Sequence, residues 1–123
     1  MGTPAPQAGL GENAFDATQP FDLKQDAGGI VDIEFMVQYA ALAWSHHYPQ
    51  LIRYTDNMRI LDGLSAADLL PAADVQLLQE AYKAYRAATH RLALQKQPGK
   101  VPGDQFAELR REVRRIWLEL GLA

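Results

Sequence analysis

The sequence predicts an all-α domain, a helical bundle of about four main helices plus a short helical turn. Two observations carry that prediction. Apolar residues recur at alternating steps of three and four from Ile30 onward, which keeps them on one face of a helix. Prolines, Pro-Gly pairs and capping residues punctuate these periodic runs, while strand character is confined to Phe21–Lys24.

Met1 to Pro20 is rich in Gly, Ala, Pro, Gln and Thr, with few large apolar groups. Such a segment buries too little surface to offset its ordering entropy, so residues 1–20 read as a flexible linker or tail. Residues 21–123 read as the helical domain. Phe21-Asp22-Leu23-Lys24 is strand-like, but no second strand is apparent to pair with it. A lone strand leaves backbone donors and acceptors unmatched. The expectation is therefore a partner sheet outside this chain, as in a piece cut from a larger protein.

Gly28-Gly29 then allows a sharp turn, because glycine takes positive φ without steric cost. Ile30, Ile33, Val37, Ala40 and Trp44 form the apolar stripe of the first helix. His46, His47 and Tyr48 fall at its end, and Pro49 stops it. Thr55 is placed to N-cap a second helix carrying Met58, Leu61 and Leu64. Ser65-Ala66-Ala67-Asp68 resembles a capping box, with Asp in place of Glu or Gln, opening a short turn that ends at Leu69-Leu70. Pro71 suits the first turn of the next helix. That helix is the longest, with Val75, Leu78, Tyr82, Tyr85, Thr89 and Leu92 in register. Pro98-Gly99 and Pro102-Gly103 bracket a loop. A final helix carries Phe106, Leu109, Val113, Ile116 and Leu120, with Trp117 beside them and Gly121 as C-cap.

Composition narrows the function classes. A chain of 123 residues is one domain at most, large enough to fold without staples. With no cysteine, neither a disulfide framework nor a thiolate metal site is available, and a cytoplasmic location fits. Twelve basic and fifteen acidic residues leave a net charge of −3, which argues against a nucleic-acid partner. No apolar run is long enough to span a membrane, and no signal peptide is seen.

Phe21 to Phe35 is the most informative stretch. It sets a glycine pair and two carboxylates against the start of an apolar helix. Asp32 and Glu34 suit the positive end of the helix dipole. Two residues apart, they diverge by about 200° on a helix and do not hold one metal ion together. His46 and His47 also diverge, and His90 reads as a structural histidine, so no metal site is expected. Arg110, Arg111, Arg114 and Arg115 form a basic face opposite the apolar stripe of the last helix. Glu108, Glu112 and Glu119 are interspersed, as on a solvated surface. The alternative use of that face is an acidic partner or a nucleotide phosphate.

Lys24-x-x-x-Gly28-Gly29-Ile30-x-Asp32-Ile33-Glu34-Phe35 resembles a signature of bacterial glutamine synthetase adenylyltransferases, where it follows a nucleotidyltransferase domain. The likeness continues in Gln38-Tyr39, in Tyr54-Thr55-Asp56-Asn57-Met58-Arg59-Ile60-Leu61, in Tyr85-Arg86 and in His90-Arg91-Leu92. It runs in order from Phe21 to the C-terminus. Thr89 departs from it, at a position where many relatives are expected to be acidic.

The resemblance implies an enzyme that uses ATP and Mg²⁺ to transfer AMP to a tyrosine of glutamine synthetase. It also implies removal of that AMP by phosphorolysis elsewhere on the polypeptide, regulating nitrogen assimilation. Its metal-binding motif, Gly-Ser followed by Asp-x-Asp, has no counterpart here. The expectation for residues 21–123 is a non-catalytic C-terminal helical domain, following a nucleotidyltransferase domain that these residues do not include, with no catalytic or metal-ligating residue and no cofactor bound to this piece alone. Lys24, Gly28, Gly29, Asp32, Glu34 and Gln38 are its candidates for an interdomain or nucleotide-cleft surface; the alternative is that Asp32 or Glu34 holds the Gly-Gly turn and that Lys24 is a solvated strand end. Asp56, Asn57 and Arg59 are candidates for a partner-facing surface. Expected partners are the preceding nucleotidyltransferase domain, glutamine synthetase and the PII protein. Rival readings are an independent helical interaction module and the helical domain of a PII uridylyltransferase.

Overall fold

The computed structural model describes residues 15–45 and 57–122. In chain order these form β1 (Phe21–Asp22), α1 (Ile30–Ser45), α2 (Asn57–Ala66), α3 (Ala72–Leu94), β2 (Lys100–Val101) and α4 (Ala107–Glu119). The molecule is predominantly helical, as the periodicity predicts. α3 touches each of the other three helices, and α1 also meets α2 and α4. Ile33, Val37, Leu61, Leu64, Leu78, Tyr85, Val113 and Ile116 meet in one core. These are the stripe residues the spacing singled out. Trp44, His46, His47, Pro49 and Thr55 belong to the expected first-helix end and second-helix start. The backbone of Trp44 closes α1, but its side chain and the other four residues lie outside the described residues.

The expected lone strand is corrected. β1 pairs antiparallel with β2, with Phe21 opposite Val101 and Asp22 opposite Lys100. Leu23 N–H extends the pairing to Gly99 O at 3.0 Å. The partner strand comes from the loop between the two Pro-Gly pairs. At two residues it is too short to show alternation, and its flanking prolines mask it as a turn. The backbone of β1 is therefore satisfied within the chain, and no external sheet is required.

The turn at Ser65 is also corrected. Ser65 and Ala66 close α2 rather than opening a new element. Asp68 takes a left-handed conformation at φ 58°. Its N–H reaches Ser65 O at 3.0 Å, and Leu69 N–H reaches Leu64 O at 2.9 Å. That pair of bonds is a Schellman ending. α3 ends the same way at Lys96 (φ 58°), and α4 at Gly121 (φ 80°), the residue expected to cap it. Only the last carries glycine, so only the last was legible.

At the start of α3, Asp74 is buried in the first turn, where its charge suits the dipole. It accepts from Arg115 Nη2 at 3.0 Å and so ties α3 to α4. Asp74, Glu112 and Glu119 together hold the Arg115 pKa above its ordinary value. Tyr85 packs edge-on against Phe21 and Phe106, each at 5.4 Å between ring centres. Its hydroxyl is buried with no hydrogen-bond partner among the described residues, and burial pushes its pKa well above the usual phenol range.

Residues 15–20 lie against the domain. The Phe15 ring stacks on the Arg110 guanidinium, and Gly103 leaves no room for a Cβ against the carbonyls of Ala17 and Gln19.

Candidate functional site

The glycine pair builds the junction between β1 and α1. Gly28 takes φ +81°, and a Cβ there would meet the Arg110 backbone at 3.0 Å. Four consecutive N–H groups point into the junction, where an anion would sit if this were a phosphate loop. All four are occupied from within. Gly28 N–H donates to Asp32 Oδ2 at 2.7 Å. Gly29 N–H donates to Asp26 O at 2.9 Å, Ile30 N–H to Leu23 O at 2.8 Å, and Val31 N–H to Lys24 O at 3.1 Å. The chain folds back so that its own carbonyls cap the helix.

Two arginines of α4 clasp this junction. Arg114 Nη1 donates to Asp32 Oδ2 at 3.2 Å, and both side chains are largely buried. Arg110 Nε donates to Ala27 O at 3.0 Å. The Arg110 guanidinium lies between the rings of Phe15 and Phe21, 3.8 and 4.0 Å from their centres. Burial pulls its pKa below the ordinary value, while nearby Asp26, Tyr85 and Asp32 oppose that shift. Arginine keeps its charge under such a shift. Stacked aromatics and a carbonyl acceptor suit a planar cation in a partly dry site.

The expected basic face is therefore corrected. Arg110 is buried, Arg114 is spent on Asp32, and Arg115 is held by Asp74, Glu112 and Glu119. Arg111 alone of the four is well exposed, and it pairs with Glu108. The clasp was missed, but a signal existed. Arg110 stands four residues after Phe106 and three before Val113, which puts it on the apolar stripe rather than opposite it.

The six interdomain or nucleotide-cleft candidates separate into three groups. Gly28, Gly29 and Asp32 come together in the junction. Glu34 points elsewhere, accepting from the Tyr82 hydroxyl at 3.1 Å. Asn57 Nδ2 donates to the same Tyr82 oxygen at 3.2 Å, so the chain Glu34–Tyr82–Asn57 links α1, α3 and α2. Lys24 and Gln38 are exposed. The two carboxylates diverge, as their spacing requires.

Of the partner-surface candidates, Asn57 is thus an internal link, Arg59 is exposed, and Asp56 lies outside the described residues. His90, read as structural, instead sits on the outer surface of α3. No three His, Asp or Glu side chains among the described residues are gathered to hold a metal ion. A nucleotide with its magnesium does not fit the junction: its amides are used, and Asp32 is already neutralised by Arg114.

The sequence model of the family described as GlnD PII-uridylyltransferase matches residues 11–117, most of the chain. The chain belongs to this family. A Pseudomonas putida protein named bifunctional glutamine synthetase adenylyltransferase/adenylyl-removing enzyme is 65% identical over 123 residues, 100% of this chain and 13% of that protein. A relative of the same name from Pseudomonas syringae pv. tomato is 66% identical over 123 residues, again 100% of this chain and 12% of that protein. One from Nitrosococcus oceani is 51% identical over 110 residues, 88% of this chain and 11% of that protein. The chain spans about an eighth of the length of these curated relatives. No helix among the described residues is long and apolar enough to cross a membrane.

Proposed function

We propose that this chain is a helical, non-catalytic domain of a bifunctional glutamine synthetase adenylyltransferase/adenylyl-removing enzyme. The observation that carries this reading is the 65–66% identity across the whole chain to proteins of that name. In this reading the parent polypeptide transfers AMP from ATP, with Mg²⁺, to glutamine synthetase at a site outside these residues. A cytoplasmic location goes with that activity. The domain packs on the nucleotidyltransferase domain before it and helps present glutamine synthetase, with the PII protein as a further partner. The internally occupied Gly28-Gly29 junction supports the non-catalytic part. The family description favours a second reading, a helical domain of a PII-uridylyltransferase. The names of the closely similar relatives support the first.

The test uses labelled ATP, Mg²⁺ and glutamine synthetase. The isolated chain is expected to leave glutamine synthetase unlabelled, while the parent polypeptide labels it. Label transferred by the isolated chain, and abolished by Asp32→Ala, would contradict the assignment. If the parent polypeptide instead labels PII with UMP when given labelled UTP, Mg²⁺ and PII, with pyrophosphate leaving, the second reading holds.

A further inference from the structure

α1 presents an uncharged apolar stripe to solvent. Val31, Phe35, Tyr39 and Leu42 are 38, 50, 41 and 73% exposed. Their spacing of four, four and three places them along one side of the helix. Phe35 stacks on Tyr39 at 6.5 Å between ring centres and meets the half-buried Trp117 of α4 at 5.6 Å. Asp32 and Glu34 are the only charged residues between Ile30 and Ser45. Both are used inside the domain, by Arg114 and Gly28 and by Tyr82. No charge is left for the outer side of a sixteen-residue helix. The outer surface of α3 is different: Gln76, Glu80, Lys83, Arg86 and His90 are exposed there. One helix is dressed for water and the other is not.

We infer that this stripe is the surface on which the remainder of the same polypeptide docks, through an apolar, uncharged patch of its own. The inference rests on the reading above, that this chain is part of a longer enzyme. Roughly seven-eighths of each closely similar relative lies outside the matched region. Aromatic and aliphatic side chains at half exposure offer together roughly a few hundred Å². Separate molecules that form a stable pair bury roughly 800 Å² on each side. A stripe of this size is small for a second copy of the domain. It suffices for a tethered neighbour, whose effective concentration is of order millimolar. Phe35 already packs on both Tyr39 and Trp117, so little of its side-chain freedom is lost on docking.

Thiol labelling of the full-length polypeptide tests this. These residues contain no cysteine, so Tyr39→Cys and Val31→Cys are single reporters within them, with Lys83→Cys on α3 as the exposed control. Iodoacetamide incorporation is followed by mass spectrometry of the peptide that carries each site. Both α1 thiols are expected to react at least tenfold more slowly than the control in the native polypeptide, and equally fast in urea. Protection should persist on hundredfold dilution. Native rates equal to the control would overturn the inference, and protection lost on dilution would assign the stripe to a second copy instead. AMP transfer by the unsubstituted polypeptide is scored separately. Its absence sinks the functional reading, whereas protected thiols still establish the interface.

Discussion

Gly29→Ala is expected to destabilise the domain by about 3 kcal/mol, the upper part of the range for forcing atoms into filled space. A Cβ at Gly29 would stand 2.6 Å from Leu23 O and 2.9 Å from Asp26 O. Both are backbone atoms, and both are acceptors in the junction: Leu23 O for Ile30 N–H, Asp26 O for Gly29 N–H. Neither moves aside without breaking the bond that closes the turn. For a domain of this size the loss corresponds to a fall in Tm of roughly 10–15 °C. Gly99→Ala is the control, since nothing lies within 4 Å of a Cβ there. Thermal unfolding of the two variants side by side checks the argument. Equal melting temperatures would show that the junction yields easily.

Arg110→Ala is the second large effect, again about 3 kcal/mol. The change strips the donor from Ala27 O, removes the cation between Phe15 and Phe21, and opens a cavity under β1. Asp26 and Asp32 also lose a neighbouring positive charge. Arg110→Lys is expected to recover little of this, because a flexible ammonium neither stacks as a plane nor donates from the Nε position. Arg111→Ala removes an exposed pair with Glu108 and should change stability by less than about 0.5 kcal/mol. Chemical denaturation of the three variants separates charge from geometry. A full rescue by lysine would mean that the site needs only a positive charge.

The helices were legible because their cores are simple. Ile33, Val37, Leu78, Val113 and Ile116 are buried for the reason their spacing announces. β2 was not legible, because two residues between prolines carry no period. The endings of α2 and α3 were hidden because Asp68 and Lys96 occupy positions where glycine is the usual sign.

The candidate site was half legible. Gly28 and Gly29 announce a tight turn, and Asp32 announces a helix start. That Asp32 holds the Gly-Gly turn, through Gly28 N–H four residues away, is a local reading; that it also serves Arg114 depends on α4, some eighty residues away in sequence. Spacing rules on a single helix do not reach that far. The same limit hid the Glu34–Tyr82–Asn57 link, which joins three helices through one hydroxyl.

The central claim is that the glycine-acid motif is a closed structural junction, with its amides turned inward. Native-state amide exchange at Gly28, Gly29, Ile30 and Val31 tests it most directly. The account predicts that all four exchange as slowly as the core amide of Val113, and that adding ATP with Mg²⁺ leaves their rates unchanged. Fast exchange of these amides, slowed by ATP with Mg²⁺, would show an open anion-binding turn and contradict the account.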